Sequence, residues 1–302
     1  MNIRLAQTGA VLGDVEKNLE RHLRTIAQAQ RDEVDLLVFP ELSLTGYLLR
    51  DLVTEVAMPL EDLAQRLTEG LVGRRPIEFV VGYVEEDEHF RFYNAAAHFR
   101  FAGGGLSLLH NHRKVNLPTY GMFDEHRYFT AGSRVRAYDS PMLGRCGLLI
   151  CEDMWHLANP LILSLDGPEH NGMHALIGIS NSPSRGIADG GRGTPRNLDL
   201  WDRLTMTYAQ ILGVMVVQCH RVGVEEGLIF SGGSQVVTPE GEVAARATAL
   251  EETILDAPLD VQAVLRRARI GFRGRSGDDY HRLVQELLRM EDDEAGRQES
   301  LT

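Results

Sequence analysis

Residues Gly147–His156 read GLLICEDMWH, an apolar run closed by a cysteine and two acids. A run this short, bounded by polar residues, has the pattern of a strand buried on both faces, which belongs to a sheet covered by helices. Cys146–Ile150 is therefore expected to be such a strand. His174–Ser180 and Val214–Gln218 have the same pattern, with a helix over Asn197–Leu212 between them. Upstream, Ile3–Thr8 and Asp35–Phe39 read as strands, the second stopped by Pro40. Asp14–Arg31 reads as a helix, because Val15, Leu19, Leu23, Ile26 and Ala27 share one face. A helix at Leu60–Leu71 precedes strands at Phe79–Val84 and Tyr93–Phe99, and a turn at Gly103–Gly105 leads to a strand at Leu106–Leu109. Strands alternating with helices, with hairpins interspersed, predict an α/β fold whose mixed sheet is covered by helices, and two such halves can stack into layers.

The 302 residues are 43% hydrophobic and 25% charged, the composition of a globular protein with a sizeable core. A formal net charge of -12 repels a phosphate backbone, so nucleic acid is excluded as an expected partner; the basic clusters at Arg74–Arg75 and Arg266–Arg275 are short. No stretch approaches the roughly 18–20 apolar residues that cross a bilayer, and MNIRLAQTGA at the start lacks a secretory pattern. A cytoplasmic protein without a membrane partner is expected. Cys146, Cys151 and Cys219 are too few and odd in number for a disulfide framework, so each is either apolar filler or a reactive thiol. No internal repeat is present. DGGRGTPRN at Asp189–Asn197 reads as a mobile surface loop, Asp279–Met290 as an amphipathic helix, and EDDEAGRQES after it as a disordered acidic tail. One main domain over residues 1–275, followed by a helix and tail over 276–302, is the expected organisation.

Three segments place a chemically suitable residue just after a strand: LLVFPELSLTGY with Glu41, HNHRKVNLPTYGMFDEHRYF with Lys114 and Glu125, and GLLICEDMWH with Cys151. A thiol near neutral pH is only a few per cent ionised, so a nucleophilic cysteine needs a group that takes its proton. Glu41 is a candidate. Attack on an amide also creates a negative oxygen, which a fixed ammonium such as that of Lys114 stabilises. Each residue has a plain alternative: a solvated loop carboxylate, a surface cation and a core cysteine. Cys146 and Cys219 are assigned to packing, because Cys151 lies at the strand end beside the polar Glu-Asp pair. His110 and His112 show no acidic or cysteine companions at ligand spacing and read as loop side chains.

FPELSLTGY, RKVNLPTYGMFDEHRYF and LLICEDMWH resemble, in order, the three catalytic blocks of the nitrilase, or carbon–nitrogen hydrolase, superfamily. They are especially similar to the glutaminase domain of glutamine-dependent NAD synthetases, and LIFSGGSQVVTPEGEV resembles a later block. The resemblance implies an α-β-β-α sandwich, two stacked mixed sheets flanked by helices. It also implies a Glu41, Lys114, Cys151 triad with Glu125 as supporting carboxylate, acting through a thioester, with no metal or organic cofactor. In the implied reaction Cys151 attacks, Glu41 moves the proton to departing ammonia and later activates water, and Lys114 holds the oxyanion with the backbone N–H after the nucleophile.

The same resemblance points to a small primary amide, glutamine or a related ω-amide, as substrate. Tyr120 and Glu152 would line its pocket and Arg185 would pair with a substrate carboxylate. Plainer readings are open: packing for Tyr120, a helix cap for Glu152, and for Arg185 a place beside the Gly-rich loop. The chain stops at Thr302, so no ATP-dependent synthetase domain is expected within it. SGGSQ at Ser231–Gln235 superficially resembles an ATP-pyrophosphatase loop but runs on into VVTPEG, and a strand bulge or close chain contact accounts for its glycines. The family forms homo-oligomers through helices beside the site, and a separate synthetase partner receiving ammonia is a further expectation. Hydrolysis of an N-carbamoyl compound or a nitrile is the alternative chemistry, and a catalytically silent assembly subunit the alternative class.

Overall fold

The computed structural model describes all residues except 74, 168–171, 186–194, 265, 267–281 and 290–302. The chain runs β1 (Asn2–Gln7), α1 (Val15–Arg31), β2 (Leu36–Val38), α2 (Val53–Val56), α3 (Leu60–Gly70), β3 (Ile77–Glu86), β4 (Phe92–Ala102) and β5 (Gly105–Arg113). It continues β6 (Tyr138–Ser140), β7 (Gly144–Ile150), α4 (Ala158–Leu165), β8 (Ala175–Ser180), α5 (Arg196–Leu212) and β9 (Met215–His220). A hairpin of β10 (Val222–Glu225) and β11 (Leu228–Ser231) precedes β12 (Gln235–Val237), β13 (Val243–Arg246) and β14 (Thr253–Pro258).

Two six-stranded mixed sheets result, ordered β14-β1-β2-β3-β4-β5 and β13-β12-β9-β8-β7-β6. Period-two alternation decides which side chain enters which core. Ile3, Leu5, Leu36, Val38 and Val80 face the second sheet and share a core with Leu148, Ile150, Ile177 and Val217. The intervening Ala6, Leu37, Phe39, Phe79 and Val81 turn outward onto Ile26 of α1 and Leu63 and Leu67 of α3. On the far side, Leu163 of α4 and Trp201, Tyr208 and Leu212 of α5 cover the second sheet. The layers are helix, sheet, sheet, helix, as the resemblance implied. Helix α1 starts where the Asp14 side chain accepts from the Lys17 N–H, a cap worth about 1 kcal/mol.

Three local readings are corrected. Strand β5 runs to Arg113, so His110 and His112 are strand residues and not loop residues. As the edge strand of its sheet, β5 carries polar residues that read as loop in sequence. Gly232 and Gly233 lie between β11 and β12 and not inside a strand, both at positive φ (+69° and +87°). A Cβ on Gly232 would meet the Gln7 side chain at 2.6 Å, so a close chain contact does account for that glycine. The end of the expected surface loop is built in: Pro195 and Asn197 are buried, while 189–194 lie outside the described residues. The C-terminal helix is described over 282–289; the ends of its expected span and the acidic tail lie outside the described residues. No helix among the described residues is long and apolar enough to cross a membrane.

Candidate active site

Strand β2 is only three residues long because Pro40 has no N–H to continue the ladder, and the chain turns there to present Glu41. That turn lies directly on β3. A Cβ on Gly82 would sit 2.4 Å from the Leu42 nitrogen and 2.6 Å from the Pro40 oxygen, so only glycine permits the approach. The Glu41 carboxylate is buried and accepts three hydrogen bonds: from Lys114 Nζ at 2.8 Å and Asn94 Nδ2 at 2.7 Å on Oε1, and from the Asn181 N–H at 2.6 Å on Oε2. The last bond crosses from the end of β8 in the other sheet.

Lys114 follows β5 directly. Its N–H donates to Asn94 O and its carbonyl accepts from the Gly132 N–H, both at 2.8 Å. Its side chain is wholly buried, and Nζ also donates to Glu125 Oε1 at 2.8 Å. Burial alone would lower this ammonium's pKa, but the charges of Glu125 and Glu41 overrule it and hold Lys114 protonated well above its usual range. Glu125 opens a short 3-10 turn and receives the Tyr47 hydroxyl at 2.8 Å on the same oxygen. Burial raises its pKa to about 7, Lys114 opposing and Glu41 assisting. An ammonium has three protons, and two are committed to these carboxylates.

Cys151 is the first residue after β7 and the start of a 3-10 turn, Cys151–Trp155. Its φ of +46° is left-handed, a conformation that costs a side-chain-bearing residue on the order of 1–3 kcal/mol and is found where structure holds a reactive group in place. The thiol is largely buried, with Glu41, Lys114 and Glu125 close enough to act on its charge. Burial pushes its pKa well above the usual value, Glu41 adds to the rise and Lys114 opposes it. The raised pKa favours the thiol form, from which a nucleophilic role would require a base to take the proton. Cys146 and Cys219 are sealed in the core between the sheets, and burial raises both their pKa values.

Cys151 lines a pocket of about 380 Å³ together with Tyr120, Glu152, Arg185, Phe123 and Trp201. The Tyr120 hydroxyl donates to the Glu152 carboxylate at 3.0 Å, and the Arg185 guanidinium lies over the Phe123 ring, 4.5 Å from its centroid. All three substrate residues expected from the sequence thus share the pocket of Cys151. Residues not foreseen complete the surroundings. Asn94 and Tyr47 support Glu41 and Glu125, the Asn181 N–H supports Glu41, and Asp153 and His112 bond each other behind the cysteine turn at 2.8 Å. Asp153 stands in the quoted acid pair and could have been singled out there, whereas Asn94 becomes visible only once β4 lies against β5. Among the described residues, no group of three His, Cys, Asp or Glu side chains is arranged to hold a metal ion.

The family model described as carbon–nitrogen hydrolase matches residues 2–269. The chain belongs to the carbon–nitrogen hydrolase family. Over 277 residues, 91% of its length, this carbon–nitrogen hydrolase is 32% identical to the glutamine-dependent NAD(+) synthetase of Thermotoga maritima, of which it covers 45%. It spans somewhat less than half the length of such relatives. Among solved structures, the glutamine-dependent NAD+ synthetase of Acinetobacter baumannii matches 84% of the hydrolase at a TM-score of 0.71 and 28% identity, with 44% of that chain covered. Saccharomyces cerevisiae Nit3, a member of the nitrilase superfamily, matches 89% at a TM-score of 0.69 and 25% identity, with 93% of that chain covered.

Proposed function

We propose that this carbon–nitrogen hydrolase cleaves a small primary amide, glutamine or a related ω-amide, to acid and ammonia through a thioester on Cys151. The observation that carries the reading is the buried Lys114 ammonium, bonded to Glu41 and Glu125 beside a thiol at the wall of a pocket. Cys151 attacks the amide carbon as Glu41 takes the thiol proton. The oxygen becomes negative and receives the third proton of Lys114 as a hydrogen bond, with the backbone N–H after Cys151 as second donor. Collapse breaks the C–N bond, the proton held on Glu41 passes to nitrogen, and ammonia leaves. Water then gives a proton to Glu41 and adds to the thioester, and the returning proton releases the acid and restores the thiol.

Glu152, held by Tyr120, suits a substrate ammonium, and Arg185 suits a carboxylate, a combination that fits an α-amino acid carrying a side-chain amide. The test is ammonia release from a panel of glutamine, other ω-amides, N-carbamoyl compounds and nitriles. Glutamine or an ω-amide is expected to lead the panel, and Cys151→Ala to lower turnover by more than about 10³-fold. Preference for ureides or nitriles would move the substrate class, and an unchanged Cys151→Ala variant would mark a silent assembly subunit. The likeness to part of glutamine-dependent NAD synthetases favours a second reading, in which the ammonia is delivered to a separate synthetase.

A further inference from the structure

We propose that Asp153 is a positioning residue that sets the separation between the Lys114 ammonium and the Cys151 sulfur. This rests on the reading of Lys114 as oxyanion donor. Asp153 is completely buried, and its only charged-type partner among the described residues is His112. One carboxylate oxygen accepts the backbone N–H groups of Val115 at 3.0 Å and Asn116 at 2.8 Å, the two residues after Lys114. The other accepts the Ile150 N–H, just before Cys151, at 3.3 Å, and His112 Nε2 at 2.8 Å. A single carboxylate therefore joins the lysine segment 112–116 to the cysteine turn.

The remaining anchors of Lys114 come from elsewhere. Glu41 and Glu125 hold its ammonium, while Asn94 and Gly132 hold its backbone. None of these four reaches across to the turn at Cys151, whereas Asn159 reinforces the Asp153 junction. Its Nδ2 donates to Asn116 Oδ1 at 2.7 Å and to the Asp153 carbonyl at 3.0 Å. Burying a carboxylate carries a desolvation cost that a turn cap, which needs one or two acceptor bonds, does not require. Four donors drawn from two separate segments give that cost a use: they fix one catalytic backbone against another. Because reacting groups misplaced by about 1 Å can cost 10²-fold in rate, loosening this junction should act on chemistry more than on binding.

The test compares wild type with Asp153→Asn, which keeps the shape and removes the charge, on samples whose folded fraction is fixed by near-ultraviolet circular dichroism. Ammonia release from glutamine and alkylation of Cys151 by iodoacetamide are measured in parallel, since alkylation needs no oxyanion donor. The expected result is a kcat lower by about 10²-fold, with KM and the alkylation rate each within about threefold of wild type. An unimpaired kcat in the folded variant overturns the proposal. So does a parallel fall of kcat and alkylation, the sign of a merely structural role. If Asp153→Asn does not fold, His112 variants decide: His112→Gln, which keeps a donor, should hold kcat within about threefold, and His112→Leu should lose about tenfold. Equal kcat in that pair overturns the proposal as well. A wild-type protein inert on all amides refutes the amidase reading and this inference with it, whereas an active wild type with unimpaired variants refutes the inference alone.

Discussion

At the scale of single residues, the site is a problem of charge. Two carboxylates and one ammonium are buried together, and such a group persists because each charge has bonded partners. The excess negative charge falls on Glu125, whose pKa burial raises to about 7. A carboxyl raised above its ordinary 4.5 contributes stability that is fully present below 4.5 and is lost as pH rises through about 7. The difference in unfolding free energy between wild type and Glu125→Gln should therefore shift against wild type across that window, as measured by urea denaturation at several pH values. A constant difference would show that Glu125 titrates normally. The same accounting defines the roles proposed for Lys114 and Cys151: the lysine keeps its protons, two of them committed, and the thiol keeps its proton until a base takes it.

At the scale of elements, the candidate site depends on where strands stop. Pro40 ends β2 beside Glu41, β5 ends just before Lys114 and β7 just before Cys151. Gly82 in β3 lets the Glu41 turn rest on the sheet, so Gly82→Ala should push that turn outward and lower kcat by about tenfold or more, read from steady-state ammonia release. An active Gly82→Ala enzyme would mean that the turn yields without moving the carboxylate. The motifs of Glu41 and Cys151 were legible because each joins an apolar strand to a polar residue in a short window, and the Lys114 segment through its resemblance to a family block. The polar partners were not. Asn94 lies inside an apolar strand, and its bond to Glu41 exists only through the pairing of β4 with β3 and β5. His112 was hidden by the opposite effect, since an edge strand covered on one side has the polar pattern of a loop. The β10–β11 hairpin escaped notice because each strand has four residues, yet its Glu225 accepts the N–H groups of Tyr47 and Leu48 and steadies the segment after Glu41.

At the scale of the molecule, stacking two mixed sheets face to face brings strand ends from both to one place. Glu41 and Lys114 come from the first sheet, Cys151 and the Asn181 N–H from the second, so the site exists only when the sandwich is assembled. Glu152 and Arg185 stand in the wall of the pocket that Cys151 lines, where the proposed reading has them select the substrate. An assembly of several copies is a separate expectation that light scattering in solution measures. The central claim is that the acyl portion of the amide resides on Cys151 during turnover. Acid quenching of the working enzyme, followed by intact-mass measurement and peptide mapping, tests it most directly. The prediction is an adduct equal to the substrate less ammonia, on the peptide carrying Cys151 and absent from Cys151→Ala. Turnover with no such adduct, even with Glu41→Gln used to slow its hydrolysis, or an adduct on Cys146 or Cys219, would contradict the account.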